Sequence, residues 1–127
     1  MFTRHPLNPL LSPQDVTPSQ NGWQVLGVFN AGAARFGDET ILLVRVAERP
    51  QPTKDGWVAC PYMDEDGQIQ LRRIRQSDPD WDCSDPRIAR QRSTGAACLT
   101  SISHIRRARS RDGLHFTVDA RPWLVAS

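Results

Sequence analysis

No window of about a dozen residues in this chain keeps a helical 3.6-residue period, so strands are left to bury its apolar surface. Apolar runs of strand length follow one another instead, each closed by turn residues. The first four lie at residues 23–29, 40–47, 57–62 and 69–74. Gly37-Asp38 separates the first two. Asp66-Gly67 separates the last two, and that dipeptide suits a tight hairpin because Gly tolerates positive φ. Ten prolines and eight glycines argue further against long helices. The pattern predicts an all-β fold.

A second series follows the acidic stretch Asp78-Pro79-Asp80-Trp81-Asp82, with runs at 87–91, 96–103, 105–110 and 114–118. Gly95 and Asp112-Gly113 stand where Gly37 and Asp66-Gly67 stand in the first series. The order strand, turn, strand, loop, strand, Asp-Gly turn, strand therefore occurs twice. About 45–55 residues per four-stranded unit is the size of a propeller blade. A sandwich of eight short strands is the structural alternative. The expected layout is an extended, Pro-punctuated lead-in at 1–22, a first blade at 23–77 and a second at 78–127.

At 127 residues the chain holds one modest core. No apolar run approaches the ~20 residues of a membrane-spanning helix. The first residues, Met1-Phe2-Thr3-Arg4-His5-Pro6, lack the charged head and apolar middle of a secretory signal. A net charge of +2 demands no anionic partner, and the excess of Arg over the single Lys54 reads as codon preference. Cys60, Cys83 and Cys98 show no C-x-x-C spacing, so reduced thiols in a cytoplasmic protein are expected.

Several segments in order resemble glycoside hydrolase family 130. They are Asn8-Pro9-Leu10-Leu11-Ser12-Pro13, Val28-Phe29-Asn30-Ala31-Gly32-Ala33, Leu42-Leu43-Val44-Arg45-Val46-Ala47-Glu48, Ser84-Asp85-Pro86-Arg87, Leu99-Thr100-Ser101-Ile102-Ser103-His104 and Ala108-Arg109-Ser110-Arg111-Asp112-Gly113. The likeness runs from about Arg4 to Trp123. It implies a five-bladed β-propeller, of which this chain matches the first two blades, the N-terminal portion of a longer protein. It also implies inverting phosphorylases and hydrolases acting on β-mannosides, with inorganic phosphate as the possible co-substrate and no other cofactor. The family's general acid is the Asp of a Gly-x-Glu-Asp-Pro-Arg stretch that this chain does not contain. Asp85-Pro86-Arg87 resembles that stretch, but its flank Asp82-Cys83-Ser84 matches an earlier blade. Ala96-Ala97-Cys98 also departs from the aromatic expected before Leu99.

Five residues are candidates for a sugar and anion pocket. Asn30 offers an amide that both donates and accepts; the plain alternative is an Asn satisfying its own strand edge. Arg45 is a lone charge in an apolar strand and must reach water, an anion or a carboxylate; the alternative is a salt bridge to Glu48 or to the acidic stretch. Asp85 is a weak candidate for proton donor, and otherwise opens a turn with Arg87 paired to it. His104 follows Ser101 and Ser103, so its strand either bulges or lines a polar cleft; the alternative is an exposed loop His. No second ligand stands at metal spacing, and no metal is expected. The arginines of 106–111 alternate faces if they form a strand, which speaks against nucleic acid. Asp78, Asp80, Asp82 and Asp85 lack calcium-loop spacing and read as a solvated loop. Trp23, Trp57, Trp81 and Trp123 suit either sugar stacking or blade packing.

The leading expectation is thus a family 130 portion that shapes a β-mannoside pocket without carrying the acid. The alternative is a non-catalytic module that assembles through open blade edges, with itself or with the remainder of a propeller.

Overall fold

The computed structural model describes residues 1–51 and 55–125, with Asn30 and Val125 described in backbone only. Those residues are all-β apart from one 3-10 turn at Pro13–Asp15. Among the described residues ten strands form three sheets. Among the described residues no helix is long and apolar enough to cross a membrane.

The main sheet is built on a long hairpin, β1 (Trp23–Phe36) and β2 (Glu39–Pro50). Phe36 pairs with Glu39 across Gly37-Asp38, and Gly37 sits at φ +61°. The space around Gly37 is open, so its requirement is conformational rather than steric. Gly37→Ala is therefore expected to cost about 1 kcal/mol, read as a lowered urea midpoint at unchanged slope. On the far side of β2 lies β8 (Ile102–Ser110), antiparallel, with Val44 opposite Arg106 and Val46 opposite His104. Two short strands, β9 (Thr117–Val118) and β10 (Leu124–Val125), cover successive stretches of the outer edge of β8. The sheet thus joins β1 and β2, from before residue 78, to β8–β10, from after it.

Alternation decides which side of this sheet is covered. Val44, Val46 and Glu48 of β2 point one way, with His104, Arg106 and Ala108 of β8, and all six are buried. The lead-in lies across this face: Val16 is buried against Val44 and Val46, and Leu11 packs beside them. Burying each of these valines contributes roughly 1.5–3 kcal/mol. The opposite face carries Leu43, Arg45, Arg107 and Arg109 and stays open.

A second core lies between the β3–β4 hairpin (Trp57–Met63 and Ile69–Arg75) and the sheet of β5 (Trp81–Asp82), β6 (Ile88–Gln91) and β7 (Ala97–Leu99). Cys60, Ile74 and Ala89 are its buried centre, with Trp81, Cys83 and Cys98 around them. All three thiols are free. Burial, reinforced by Cys98 and Cys83, pushes the Cys60 thiol up to about 11. Carboxylates shape the turns. Asp64 accepts from the amides of Asp66 and Gln68 in the Asp66-Gly67 turn. Asp80 accepts from the Ser93 amide and hydroxyl and from the Gln91 amide group, bracing the β6–β7 turn. These are the local caps that Asx-type turns use.

Candidate functional site

An open cleft of about 610 Å³ lies where the end of β2 and the β3–β4 hairpin meet the loop between β5 and β6. Arg49, Trp57 and Arg73 line one side; Ser84, Asp85 and Thr100 belong to the other. Trp57 lines the cleft, and the Arg75 guanidinium stacks 4.9 Å from its ring centroid. Both Thr100 protons are taken, the hydroxyl donating to the Pro86 carbonyl at 2.7 Å and the amide to the Arg87 carbonyl, so toward a ligand it can only accept. These two bonds fix the Asp85 loop against the bend that follows β7. An aromatic ring, two cations and a carboxylate around an open cleft form a set that can grip a polyhydroxylated ring or an anion.

Asp85 is held in one geometry. Its Oδ1 accepts from the Arg87 amide at 2.9 Å and from Arg87 Nε at 3.0 Å, and its Oδ2 accepts from Nη2 at 2.9 Å. The Arg87 side chain, first through its guanidinium and then with help from its backbone amide, holds the Asp85 carboxyl down at about 2. A carboxyl in that range is ionised at neutral pH and has no proton to give. Removing the fork should restore it: Arg87→Ala is expected to raise the Asp85 pKa towards the ordinary ~3.9, as followed by carbon NMR of the side-chain carboxyl. An unchanged titration would show that the backbone bond alone sets it.

The other candidates lie elsewhere. Arg45 is on the open face of the main sheet, its guanidinium 5.0 Å from the centroid of the Phe29 ring. That stack replaces the salt bridge to Glu48 that the sequence offered as the alternative. The two side chains point to opposite faces of β2, Arg45 exposed and Glu48 buried. Asn30 lies in β1 at a register irregularity between Phe29 and Gly32, and its side chain is outside the described residues. Arg87 is exposed and spent on Asp85.

His104 is neither exposed nor in the cleft. It is buried in a cluster with Glu48 and Arg106, whose side chains are also fully buried. His104 Nδ1 lies 3.2 Å from Glu48 Oε1, and Arg106 Nε donates to His104 Nε2 at 2.9 Å. A ring that accepts at Nε2 and donates at Nδ1 is neutral. Ser101 and Ser103, which precede it in sequence, line a second cleft of about 600 Å³ with Tyr62, Arg72 and Leu99. The sequence signal for Glu48 and Arg106 was their parity. Each stands two residues from a core position, in Val44-x-Val46-x-Glu48 and Arg106-x-Ala108, where a charge has to find a partner.

Among the described residues no group of three His, Cys, Asp or Glu side chains is placed to hold a metal ion.

No family model matches the chain. It is 42% identical over 124 residues to the β-1,2-mannobiose phosphorylase of Listeria innocua serovar 6a, an alignment that covers 95% of this chain and 35% of that protein. The solved structure of the Listeria innocua β-1,2-mannobiose phosphorylase in complex with β-1,2-mannobiose superposes with a TM-score of 0.83 at 41% identity, over the same shares of the two chains. The chain therefore spans about a third of the length of the relative that it matches.

Proposed function

We propose, from the premise that this chain is the counterpart of the N-terminal portion of glycoside hydrolase family 130, that it contributes mannoside-binding residues to a β-mannoside phosphorylase or hydrolase. The observation that carries the proposal is the 42% identity to a β-1,2-mannobiose phosphorylase over 124 residues. The ligand is a β-mannobiose, and inorganic phosphate is its co-substrate. Asp85 belongs to the cleft wall, and Arg45 and Asn30 are sugar-binding candidates by family position alone. Trp57, Arg49 and Arg73 extend the polar and aromatic lining on the Asp85 side. Arg87 acts through Asp85, and His104 acts through the core rather than on the sugar.

Calorimetric titration with β-1,2-mannobiose tests this directly. Saturable heat is expected, absent with a β-glucoside of equal size, and Trp57→Ala is expected to weaken binding about tenfold, or about 1.4 kcal/mol. No heat with the mannoside, or binding indifferent to Trp57, would remove the cleft from the proposal.

One observation favours the second reading, an assembly module. β1 is an edge strand of 14 residues, with β2 on one side and no described strand on the other. Such an edge is a template for pairing with another chain. Sedimentation that stays monomeric across a hundredfold concentration range would count against it.

A further inference from the structure

The main sheet holds its lead-in by more than apolar packing. The Ser19 amide donates to Glu48 Oε2 at 2.8 Å, and the Ser19 hydroxyl donates to Glu48 Oε1. Arg106 Nη1 donates to the Thr17 carbonyl at 2.7 Å, and to the Asp119 carbonyl at 3.5 Å. His104 bridges the two charged residues on the sheet side. Residues 17 and 19 are thus fastened by polar bonds to one buried Glu–His–Arg cluster.

We propose that this cluster is a proton-operated latch: with His104 neutral it clasps the lead-in against the sheet, and protonation of His104 releases the segment around residues 16–19. The geometry states why. His104 Nε2 is the acceptor for Arg106 Nε–H, so a proton placed there sets two N–H groups against each other. Arg106 must then turn away, and Thr17 loses its donor. The charged groups that face the ring are Glu48 from β2 and Arg106 from β8. The lead-in presents only Ser19 and the Thr17 carbonyl; Asp15 is held by Ser12, and the Asp119 carboxylate is turned to Arg107 on the other face. Burial lowers the His104 pKa from 6.5; Glu48 opposes that shift and Arg106 adds to it.

The sign follows from linkage. A released His104 takes up a proton below about 6.5, whereas the clasped ring stays neutral. The clasped form is therefore at full strength above that pH. It loses up to tenfold in relative population per pH unit as the pH falls towards the lower pKa of the clasped ring.

Hydrogen exchange of the 127-residue chain at pH 7.5 and 5.0, corrected for intrinsic rates, tests the latch. The Val16 and Ser19 amides are expected to lose at least tenfold in protection at pH 5.0 while β3–β4 amides keep theirs. His104→Gln, whose amide can donate to Glu48 and accept from Arg106 without titrating, is expected to abolish the difference. Nitrogen NMR of the wild-type imidazole supplies an independent readout, with the Nδ1–H neutral form expected at pH 7.5. Equal protection at both pH values, loss spread uniformly over all sheets, a His104→Gln variant as pH-sensitive as wild type, or an imidazole already charged at pH 7.5 would each overturn the proposal.

Discussion

Replacing Arg106 with alanine is expected to destabilise the chain by about 3–5 kcal/mol, a large part of the 5–15 kcal/mol that domains typically have. The residue is fully buried, and its guanidinium serves His104 and Thr17 while lying 3.8 Å from Glu48. Truncation leaves the Glu48 carboxylate without its countercharge in the core, the Thr17 carbonyl without a donor and a cavity the size of the lost side chain. Arg107, the next residue, is the control. Its side chain is 35% exposed and pairs with Asp119 at 2.9 Å, and it stacks 5.7 Å from the Trp123 ring. Solvent screens that pair, so Arg107→Ala is expected to cost under about 1 kcal/mol. Urea denaturation of the two variants makes the comparison. Equal costs would mean that burial does not separate these adjacent arginines. The cluster also carries an internal check, because Glu48→Leu and His104→Leu added to Arg106→Met remove all three polar groups together. That triple variant is expected to recover the part of the loss owed to the stranded Glu48 charge, while Ser19 and Thr17 still lack their partners.

The all-β, partial-propeller fold was legible because its signals are local. Gly37-Asp38, Asp66-Gly67, Gly95 and Asp112-Gly113 mark turns, and the glycines at those places adopt positive φ. The arginines at 106, 107 and 109 alternate faces as expected, with Arg106 in the core and the other two outside. What escaped was long-range. Nothing local says that β8 pairs with β2 rather than extending β7. The apolar run at 96–103 breaks at Thr100, whose hydroxyl and amide turn to the Asp85 loop, and β8 begins two residues later. β10 is two residues long and held only by its register on β8, so no period announces it. For the candidate site, the Asp85–Arg87 pair was visible as neighbouring opposite charges. Arg45 attracted notice as a lone charge in an apolar strand, yet it is Arg106, within a run of arginines, that is buried. Alternation told the two apart only once the covered face of the sheet was known.

Mixed with β-1,2-mannobiose and phosphate, the 127-residue chain is expected to release no mannose 1-phosphate above the uncatalysed background. Inverting cleavage needs an acid to protonate the leaving oxygen while the nucleophile arrives from the opposite face. The carboxylate lining the main cleft is Asp85, which is ionised at neutral pH and held lower still by Arg87. A positioned general acid contributes about 10²–10⁴-fold, and cleavage of a glycosidic bond without one is too slow to register. Binding is a separate matter. Arg49, Arg73 and Trp57 remain in the cleft whatever becomes of the proton, so mannoside binding and turnover should part company in this chain. Phosphate-dependent release by the wild-type chain that disappears in Asp85→Asn would place the acid here after all. It would also mean that the bound sugar both opens the Arg87 fork and shields the carboxyl from water, since release from that guanidinium alone returns an Asp only to about 3.9.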